Sequence, residues 1–287
     1  MYSISSAVRT NKGKIRENNE DNFYINDTYV KTDEANIGCA YRKFSADDYQ
    51  IYAVCDGMGG CEAGELAAHA VASNLGELKE LMKTANKKSL PKRIISFLES
   101  MNQKCREISA GSDTAKGGGA GCAVSMICIS KKHIFVINAG DSRVYLWRKN
   151  KLAQLSYDHT YAQFLYSRGE ISKERLENHP QSHVLFQYIG IPENYKFEPY
   201  ISAPFKIKKG DAFILCSDGL TDMVGNEYIS ETLSKFAEPG DVCKALVSKA
   251  LANGGNDNVT VMAVKCVSRG GFISNFVRGI RPCLGRK

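Results

Sequence analysis

Acidic residues recur where apolar runs end, and most of them stand next to a glycine. The run Ile51–Cys55 leads into Asp56, and the run Ala212–Cys216 leads through Ser217 into Asp218. Three further acidic positions follow a polar loop or adjoin glycine, namely Glu20-Asp21, Asp141 and Asp257. Carboxylates that a fold gathers repel one another unless a cation neutralises them. Oxygen ligands with no His or Cys nearby suit Mg²⁺ or Mn²⁺, so the pattern predicts a divalent metal site.

The alternative is a set of independent turn aspartates, because Asp is common in turns. Taken alone, the stretch Asp56-Gly57-Met58-Gly59-Gly60 is an ordinary Asp-Gly turn. Glycine beside the acid permits positive φ, which lets a carboxylate and a carbonyl point at one small volume. Five acidic positions at the ends of predicted strands together favour the metal site over independent turns.

The composition allows one large core or two small domains, since 43% of the 287 residues are hydrophobic. The net charge is +7, but five basic residues and no acid follow Lys265, so the body carries only +2. That balance does not indicate nucleic-acid binding. Ten cysteines without a Cys-x-x-Cys pair indicate reduced thiols. With no apolar signal core in Met1–Lys14 and no membrane-length apolar run, we expect a cytoplasmic monomer.

Apolar periodicity predicts the order of the elements. The predicted strands are Tyr2–Arg9, Asp21–Asn26, Tyr49–Cys55, Cys122–Ile129, His133–Ala139, Arg143–Arg148, Leu152–Leu155, Phe197–Phe205, Ala212–Cys216 and Val259–Cys266. The predicted helices are Glu62–Leu81, one opening at Leu90-Pro91, Asn226–Phe236 and Gly240–Ala252, with short pieces at Tyr161–Arg168 and Ser172–Asn178. Short hairpins make the strands antiparallel. Paired helices then predict an α+β fold, a four-layer α/β/β/α sandwich with two central antiparallel sheets.

Seven stretches occur in the order of the motifs of a known family. They are Gly13–Asp21, Asp56–Gly60, Gly140–Arg143, Asp158–Thr160, His179-Pro180, Cys216–Leu220 and Asn256–Thr260. Over roughly residues 1–265, the chain resembles the metal-dependent Ser/Thr protein phosphatases of type 2C in their bacterial form. The resemblance implies the same sandwich fold and the hydrolysis of phosphoserine and phosphothreonine in proteins, with two Mn²⁺ or Mg²⁺ ions activating a water. It also implies phosphoprotein partners, among them a Ser/Thr protein kinase that the enzyme opposes.

The resemblance further assigns roles to individual residues. The implied ligands of the two main ions are Asp56 as a bridge, Asp218 and Asp257 on one ion, and Glu20 and the carbonyl of Gly57 on the other. Asp141, together with Asp218, holds a third and weaker ion of the kind seen in bacterial members. Arg16 binds the substrate phosphate, a task that suits a planar guanidinium.

Two positions depart from the family pattern. Met58 stands where animal members carry a His often treated as the general acid, although bacterial members commonly have Met here. A thioether donates no proton, so the proton donor to the leaving group stays open. Water of the metal site is our preferred donor, and His159 and His179 are the alternatives. Gly121-Cys122-Ala123 replaces the usual Gly-Thr-Thr, which we interpret as repacking within a strand.

Three segments lie outside these motifs. Thr28–Asp48 is a polar excursion that we expect to be exposed and irregular. Residues 156–195 match the mobile flap beside the family's active site, where basic and aromatic side chains, His183 among them, either set peptide preference or form a solvated loop. The tail, 266–287, is basic with apolar residues on roughly one helical face. It is either a membrane or partner contact or a disordered solubilising segment.

Two other functions compete with protein dephosphorylation. The first is a catalytically silent module of the same fold that binds phosphoproteins, and the intact acidic set argues against it. The second is a different two-metal phosphohydrolase acting on small phosphoesters or nucleotides. Neither a Gly-rich P-loop nor a His-Asp metal motif in the sequence supports that activity.

Overall fold

A computed structural model describes residues 2–31, 40–59, 62–111 and 119–268. The strands are β1 Tyr2–Asn11, β2 Asp21–Ile25, β3 Ala40–Ser45, β4 Tyr49–Met58, β5 Gly121–Ser130, β6 His133–Ala139, β7 Arg143–Arg148, β8 Lys151–Gln154, β9 Tyr200–Ile201, β10 Phe205–Lys206, β11 Ala212–Cys216 and β12 Val259–Ser268. The helices are α1 Glu62–Thr84, α2 Leu90–Gly111, α3 Tyr161–Ser167, α4 Lys173–Glu177, α5 Asp218–Thr221, α6 Asn226–Lys235 and α7 Pro239–Ala252.

The strands form two antiparallel sheets. The first has the order β3-β1-β12-β11-β7-β8, and the second has the order β10-β6-β5-β4-β2 with β9 also paired to β6. Helices α1 and α2 pack on the second sheet, and α7 packs on β1 and β12 of the first. The predicted α+β sandwich with two central antiparallel sheets is confirmed.

Strand β4 shows why its sequence is apolar without interruption. Ile51, Ala53 and Cys55 face the core beneath α1 and α2. Tyr52 and Val54 face the core between the two sheets. Both faces of the strand are therefore buried, and alternation with polar residues would place a polar side chain in one of the two cores.

The structure corrects the predicted bounds of β4. The strand does not end at Cys55 but runs on to Met58, because Asp56, Gly57 and Met58 stay paired with β5. The turn begins at Gly59, which has a φ of 136°. Glycine at position 57 is required by close packing and not by positive φ.

Two other stretches differ from their predictions. The excursion 28–48 is not irregular throughout, because Ala40–Ser45 forms the edge strand β3 on β1, and residues 32–39 lie outside the described part. The strand predicted over Phe197–Phe205 is not continuous. It consists of the two short strands β9 and β10, each of which pairs with β6. Pro199 and Pro204 stand directly before these two strands and donate no hydrogen bond to a ladder.

The end of the chain is described only as far as Ser268, three residues beyond the predicted domain end. The predictions for the basic tail therefore fall on residues 269–287, which lie outside the described residues. Across the described ranges, no helix combines the length and the apolar character that a membrane crossing requires.

Candidate metal centre

The predicted site residues meet at one end of the sandwich because several strand ends converge there. Asp56 of β4 is paired across the ladder with Asp21 of β2. Asp218 opens α5 directly after β11. Asp141 lies between β6 and β7, and Asp257 lies two residues before β12. Both sheets thus contribute carboxylates to the same end of the sandwich.

One open cleft of about 640 Å³ contains the whole predicted set. The seven predicted residues that line it are Arg16, Glu20, Asp56, Gly57, Asp141, Asp218 and Asp257. Met58 and Asn258 also line it, as do His183 and Leu185 of the flap. The structure therefore brings together every residue that was predicted to bind metal or phosphate, while their individual roles stay predictions.

Asp56 lies among other carboxylates in this cleft. Burial raises the pKa of Asp56 well above its usual range, and the charges of Asp218, Asp21 and Asp141 raise it further. Because none of these neighbours is a cation, the ionised form of Asp56 has no compensating charge beside it. Such an arrangement favours either a shared proton or a bound cation.

The ionised forms of Asp218 and Asp141 are also disfavoured by burial and by neighbouring negative charges. Burial, followed by the charges of Asp222 and Asp257, raises the pKa of Asp218 to about 6. A hydrogen bond with Asp56 acts in the opposite direction and lowers this pKa. Burial and the charge of Asp218 hold the pKa of Asp141 well above its usual range. The three carboxylates form one repelling group.

Arg16 makes a close ion pair with a carboxylate of the cleft. Its Nη2 donates to Oδ2 of Asp257 at 2.6 Å, and the two side chains are 56% and 32% exposed. The backbone N–H of Asn258 donates to the other oxygen, Oδ1, at 2.7 Å. An ion pair this exposed contributes about 0–1 kcal/mol, so the guanidinium is free to exchange Asp257 for another anion.

Asn258 holds the loop that carries Arg16 and Glu20. Its Nδ2 donates to the carbonyls of Lys12 and Asn18, at 2.9 and 2.8 Å. Its Oδ1 accepts the backbone N–H of Glu20 at 2.8 Å. One side chain thereby attaches this loop to the start of β12, and the sequence motif around Asp257 did not reveal that role.

Asp21 is a buried carboxylate behind the cleft. Its Oδ2 accepts hydrogen bonds from the hydroxyls of Ser217 and Thr260, at 2.8 and 2.6 Å. Its Oδ1 is buried without a partner. Burial raises the pKa of Asp21 to about 7 despite both hydroxyl donors. The group links β2 to β11 and β12 and adds negative charge beneath Asp56.

These features fit divalent metal ions. The donors are carboxylate oxygens, which suit Mg²⁺ and Mn²⁺, and an orphaned buried oxygen lies behind them. The basic side chains in the described lining are Arg16 and His183 alone, too few to neutralise the six acids of the same lining. Among the described residues, one group of three ligand atoms lies within 4.8 Å of each other, at Asp141, His183 and Asp218.

The raised carboxyl pKa values predict that the metal-free protein loses stability as pH rises. A carboxyl whose pKa is higher in the folded chain binds protons there while the unfolded chain is already ionised, so unfolding becomes easier with rising pH. For Asp218 this window runs from its ordinary value of 3.8 to about 6. A pKa difference of one between the folded and the unfolded chain corresponds to about 1.4 kcal/mol. In chelator, Tm should fall between pH 4 and pH 7.

Asp218→Asn is the control for this prediction, because the amide does not titrate. Its Tm in chelator should depend less on pH than that of the wild type. Saturating Mn²⁺ should also flatten the wild-type profile, since the cation removes the repulsion. A metal-free Tm that rises across this window would contradict the assignment of repelling buried carboxyls.

Gly57 is required where β4 passes the first turn of α1. A Cβ on Gly57 would lie 2.2 Å from the carbonyl oxygen of Gly64 and 2.6 Å from that of Glu20. Both contacts are with backbone, so neither neighbour can move aside cheaply. The close approach leaves Gly57 and Glu20 on the same wall of the cleft.

Gly57→Ala should therefore lower the free energy of unfolding by about 1–3 kcal/mol, as overpacking does. Gly76→Ala is a matched control in α1, because its Cβ would meet only the Tyr24 hydroxyl oxygen at 3.7 Å. Alanine within a helix stabilises by about 0.5–1 kcal/mol. Urea denaturation of both variants measures the difference, and equal midpoints would show that the space at position 57 is not limiting.

The sequence that forms the cleft matches a known protein family. A family model described as Protein phosphatase 2C matches residues 17–164, which is just over half of the chain. The chain belongs to the protein phosphatase 2C family. This confirms the resemblance that the sequence motifs indicated.

Curated relatives in this family extend over nearly the whole chain. The serine/threonine phosphatase stp of Listeria welshimeri is 29% identical over 263 residues, which cover 91% of this chain and 96% of that protein. The protein phosphatase PhpP of Streptococcus pneumoniae is 28% identical over 258 residues, covering 90% and 96%.

Solved structures of the family have the same fold. The Mycobacterium tuberculosis serine/threonine phosphatase PstP/Ppp matches with a TM-score of 0.75 and 27% identity, over 93% of this chain and 100% of that chain. The catalytic domain of PstP in complex with two manganese ions matches with a TM-score of 0.73 and 27% identity, over 93% and 100%.

The two histidines considered as proton donors in this phosphatase 2C chain do not line the cleft. His159 is buried, and its Nδ1 accepts the backbone N–H of Gly140 at 3.2 Å. Burial lowers the pKa of His159 to about 4, which leaves the ring neutral at pH 7. His179 accepts the backbone N–H of Gln181 within the flap. Both contacts are those of structural histidines.

The residues that depart from Gly-Thr-Thr lie in the buried part of β5. Cys122 is buried and paired opposite Gly57 across β4 and β5. A Cβ on Gly140 would lie 2.3 Å from Cβ of Ala123. The absence of a side chain at Gly140 therefore lets the loop that carries Asp141 approach β5.

Proposed function

We propose that this member of the phosphatase 2C family hydrolyses phosphoserine and phosphothreonine in proteins, with Mn²⁺ or Mg²⁺ as the cofactor. The observation that carries the proposal is that all seven nominated residues line one acidic cleft. Relatives that match 90% or more of the chain are named serine/threonine or protein phosphatases. The structural match to PstP in complex with two manganese ions supports the choice of metal.

The carboxylates divide into ligand sets as the resemblance implies. Asp56, Asp218 and Asp257 would hold one ion, and Asp56, Glu20 and the Gly57 carbonyl would hold the other. Asp141 and Asp218 would hold a third, weaker ion. When bound, the ions lower the pKa of water and neutralise the phosphate oxygens. The five carboxylates hold that positive charge in the cleft, and Asn258 fixes the backbone of Glu20 beside Asp257.

Arg16 binds the phosphate of the substrate. Its guanidinium is half exposed at the cleft mouth and already holds an anionic oxygen of Asp257. A planar guanidinium places two parallel N–H donors on a phosphate, which orients the ester as well as attracting it. Separation from Asp257 precedes that contact and costs little, because the ion pair is solvated.

The departing serine or threonine alkoxide takes its proton from water. Met58 lines the cleft but has no proton to donate. His159 has both its Nδ1 and its backbone N–H engaged with Gly140. Replacing His159 or His179 should accordingly leave the pH profile of kcat unchanged, apart from effects on folding.

The partners follow from the same proposal. Substrates are phosphoproteins, and a bacterial Ser/Thr protein kinase is the expected counterpart. The protein acts in the cytoplasm as a monomer, and the basic tail after Lys265 provides any membrane contact. Nucleic acid is not a partner, because the body carries little net charge.

Release of phosphate from a phosphothreonine peptide tests the proposed activity. The enzyme is supplied with Mn²⁺ or with Mg²⁺, and a nucleoside monophosphate serves as the competing small phosphoester. We expect turnover of the peptide with a kcat/KM at least tenfold above that for the nucleotide. No release with either metal would indicate a silent binding module, and a preference for the nucleotide would indicate a different phosphohydrolase.

A further inference from the structure

The flap places an imidazole against the acidic cleft. A ring nitrogen of His183 and carboxylate oxygens of Asp141 and Asp218 all lie within 4.8 Å of one another. His183 is also part of the cleft lining, whereas His159 and His179 are not. In the described ranges no other trio of His, Cys, Asp or Glu side chains reaches this spacing. The trio thus joins the flap to both predicted ligands of the third ion.

The backbone holds the flap segment of His183 in this position. Phe186 donates its N–H to the carbonyl of His159 at 2.9 Å, and His159 donates its N–H to the carbonyl of Gly140 at 2.9 Å. Gly140 in turn donates to Nδ1 of His159. These bonds connect the segment around His183 with the loop that begins at Gly140 and carries Asp141.

A fourth side chain completes the surroundings of the ring. Nδ1 of His183 lies 3.8 Å from Oδ2 of Asp222, with side-chain exposures of 61% and 39%. Metal-binding histidines usually have a carboxylate at the nitrogen that does not bind the metal, which orients the ring. Asp222 lies on the Nδ1 side of the ring, just beyond hydrogen-bond distance, and Asp218 and Asp141 are left for the ion.

We infer that His183 is a nitrogen ligand of the third metal ion, and that binding of this ion adds a second link between the flap and the cleft. The inference rests on the proposed function, since it takes Asp141 and Asp218 as ligands. An imidazole also changes which ion the site selects. Imidazole suits transition metals, whereas Mg²⁺ prefers oxygen. The third site therefore prefers Mn²⁺ to Mg²⁺ more strongly than an all-carboxylate site.

Pulsed EPR on the full chain tests the nitrogen ligand directly. With two equivalents of Mn²⁺, no strong ¹⁴N coupling is expected, and with excess Mn²⁺ a directly bound ¹⁴N should appear. The coupling should vanish in His183→Ala and persist in His179→Ala, which is a flap histidine outside the cleft. His183→Ala should also weaken the last Mn²⁺ to bind by at least tenfold, as measured by counting free Mn²⁺.

How firmly the flap is held at the cleft is measured separately, by limited proteolysis. Arg168 and Arg175 are exposed residues of the flap after which trypsin can cleave, and excess Mn²⁺ should slow cleavage there in the wild type but not in His183→Ala. Persistence of the ¹⁴N coupling in His183→Ala, or its absence from a wild-type protein that binds three ions, would overturn the inference. Turnover of the peptide by the wild type is measured on the same samples: either result with turnover present overturns this inference alone, whereas no turnover by the wild type overturns the proposed function.

Discussion

Asp56→Asn should lower kcat for a phosphothreonine peptide on the order of 1,000-fold. The expected loss exceeds the roughly 10- to 100-fold cost of removing an outer partner of a metal ligand, because Asp56 is the proposed bridge. The amide keeps the shape of the side chain but removes the negative charge. Steady-state kinetics at saturating Mn²⁺ measure the effect, and added metal should restore little of it.

The same variant has an opposite effect on stability, which separates a lost ligand from a damaged fold. Asp56 lies beside Asp218, Asp21 and Asp141, and their charges disfavour its ionised form. Asp56→Asn removes one member of this repelling group, so its Tm in chelator should equal or exceed that of the wild type. An inactive variant with a lower Tm, or a variant within tenfold of wild-type kcat, would contradict the proposed role.

Arg16→Ala should lower kcat/KM about 100-fold, with much of the change in KM. Hydrogen bonds to charged groups contribute about 1.5–3 kcal/mol each, and a factor of 100 corresponds to about 2.7 kcal/mol. Arg16→Lys should recover only part of the loss, because an ammonium group does not provide the paired planar donors. Initial-rate kinetics on the phosphothreonine peptide separate kcat from KM.

Lys14→Ala is the matched control for Arg16. Lys14 lies two residues away in the same loop and carries the same charge, but it does not line the cleft. Its replacement should change kcat/KM by less than threefold, since screening weakens exposed charges at a distance. An equal effect of the two substitutions would show that the loop acts by general attraction and not through a contact of Arg16.

Much of the fold was predictable because both sheets are covered on both faces. Strands such as β6, β7 and β11 appear in the sequence as compact apolar runs between turn residues, and the structure has them at the predicted bounds. The acids that adjoin such runs lie close together, because these strands begin or end at the same end of the sandwich. Local patterns therefore indicated the acidic positions, whereas the role of each ligand came from the resemblance to the family.

The parts that were missed depend on tertiary contacts. β3 forms in a polar stretch because β1 offers an open edge, which no local pattern reveals. His183 lies in the flap, and the sequence showed it only as one basic residue among several. Its approach to Asp141 and Asp218 depends on how the flap folds over the cleft. Asn258 likewise appeared only as part of the motif around Asp257.

The most direct test of a metal-dependent phosphatase centre is a Mn²⁺ titration of chelator-treated protein, with bound metal and phosphothreonine-peptide turnover measured on the same samples. We expect no turnover in the metal-free protein and turnover that rises as the second ion binds. Asp56→Asn should bind fewer ions and stay inactive throughout. Turnover that persists in chelator, or that appears without metal binding at the cleft, would contradict the central claim.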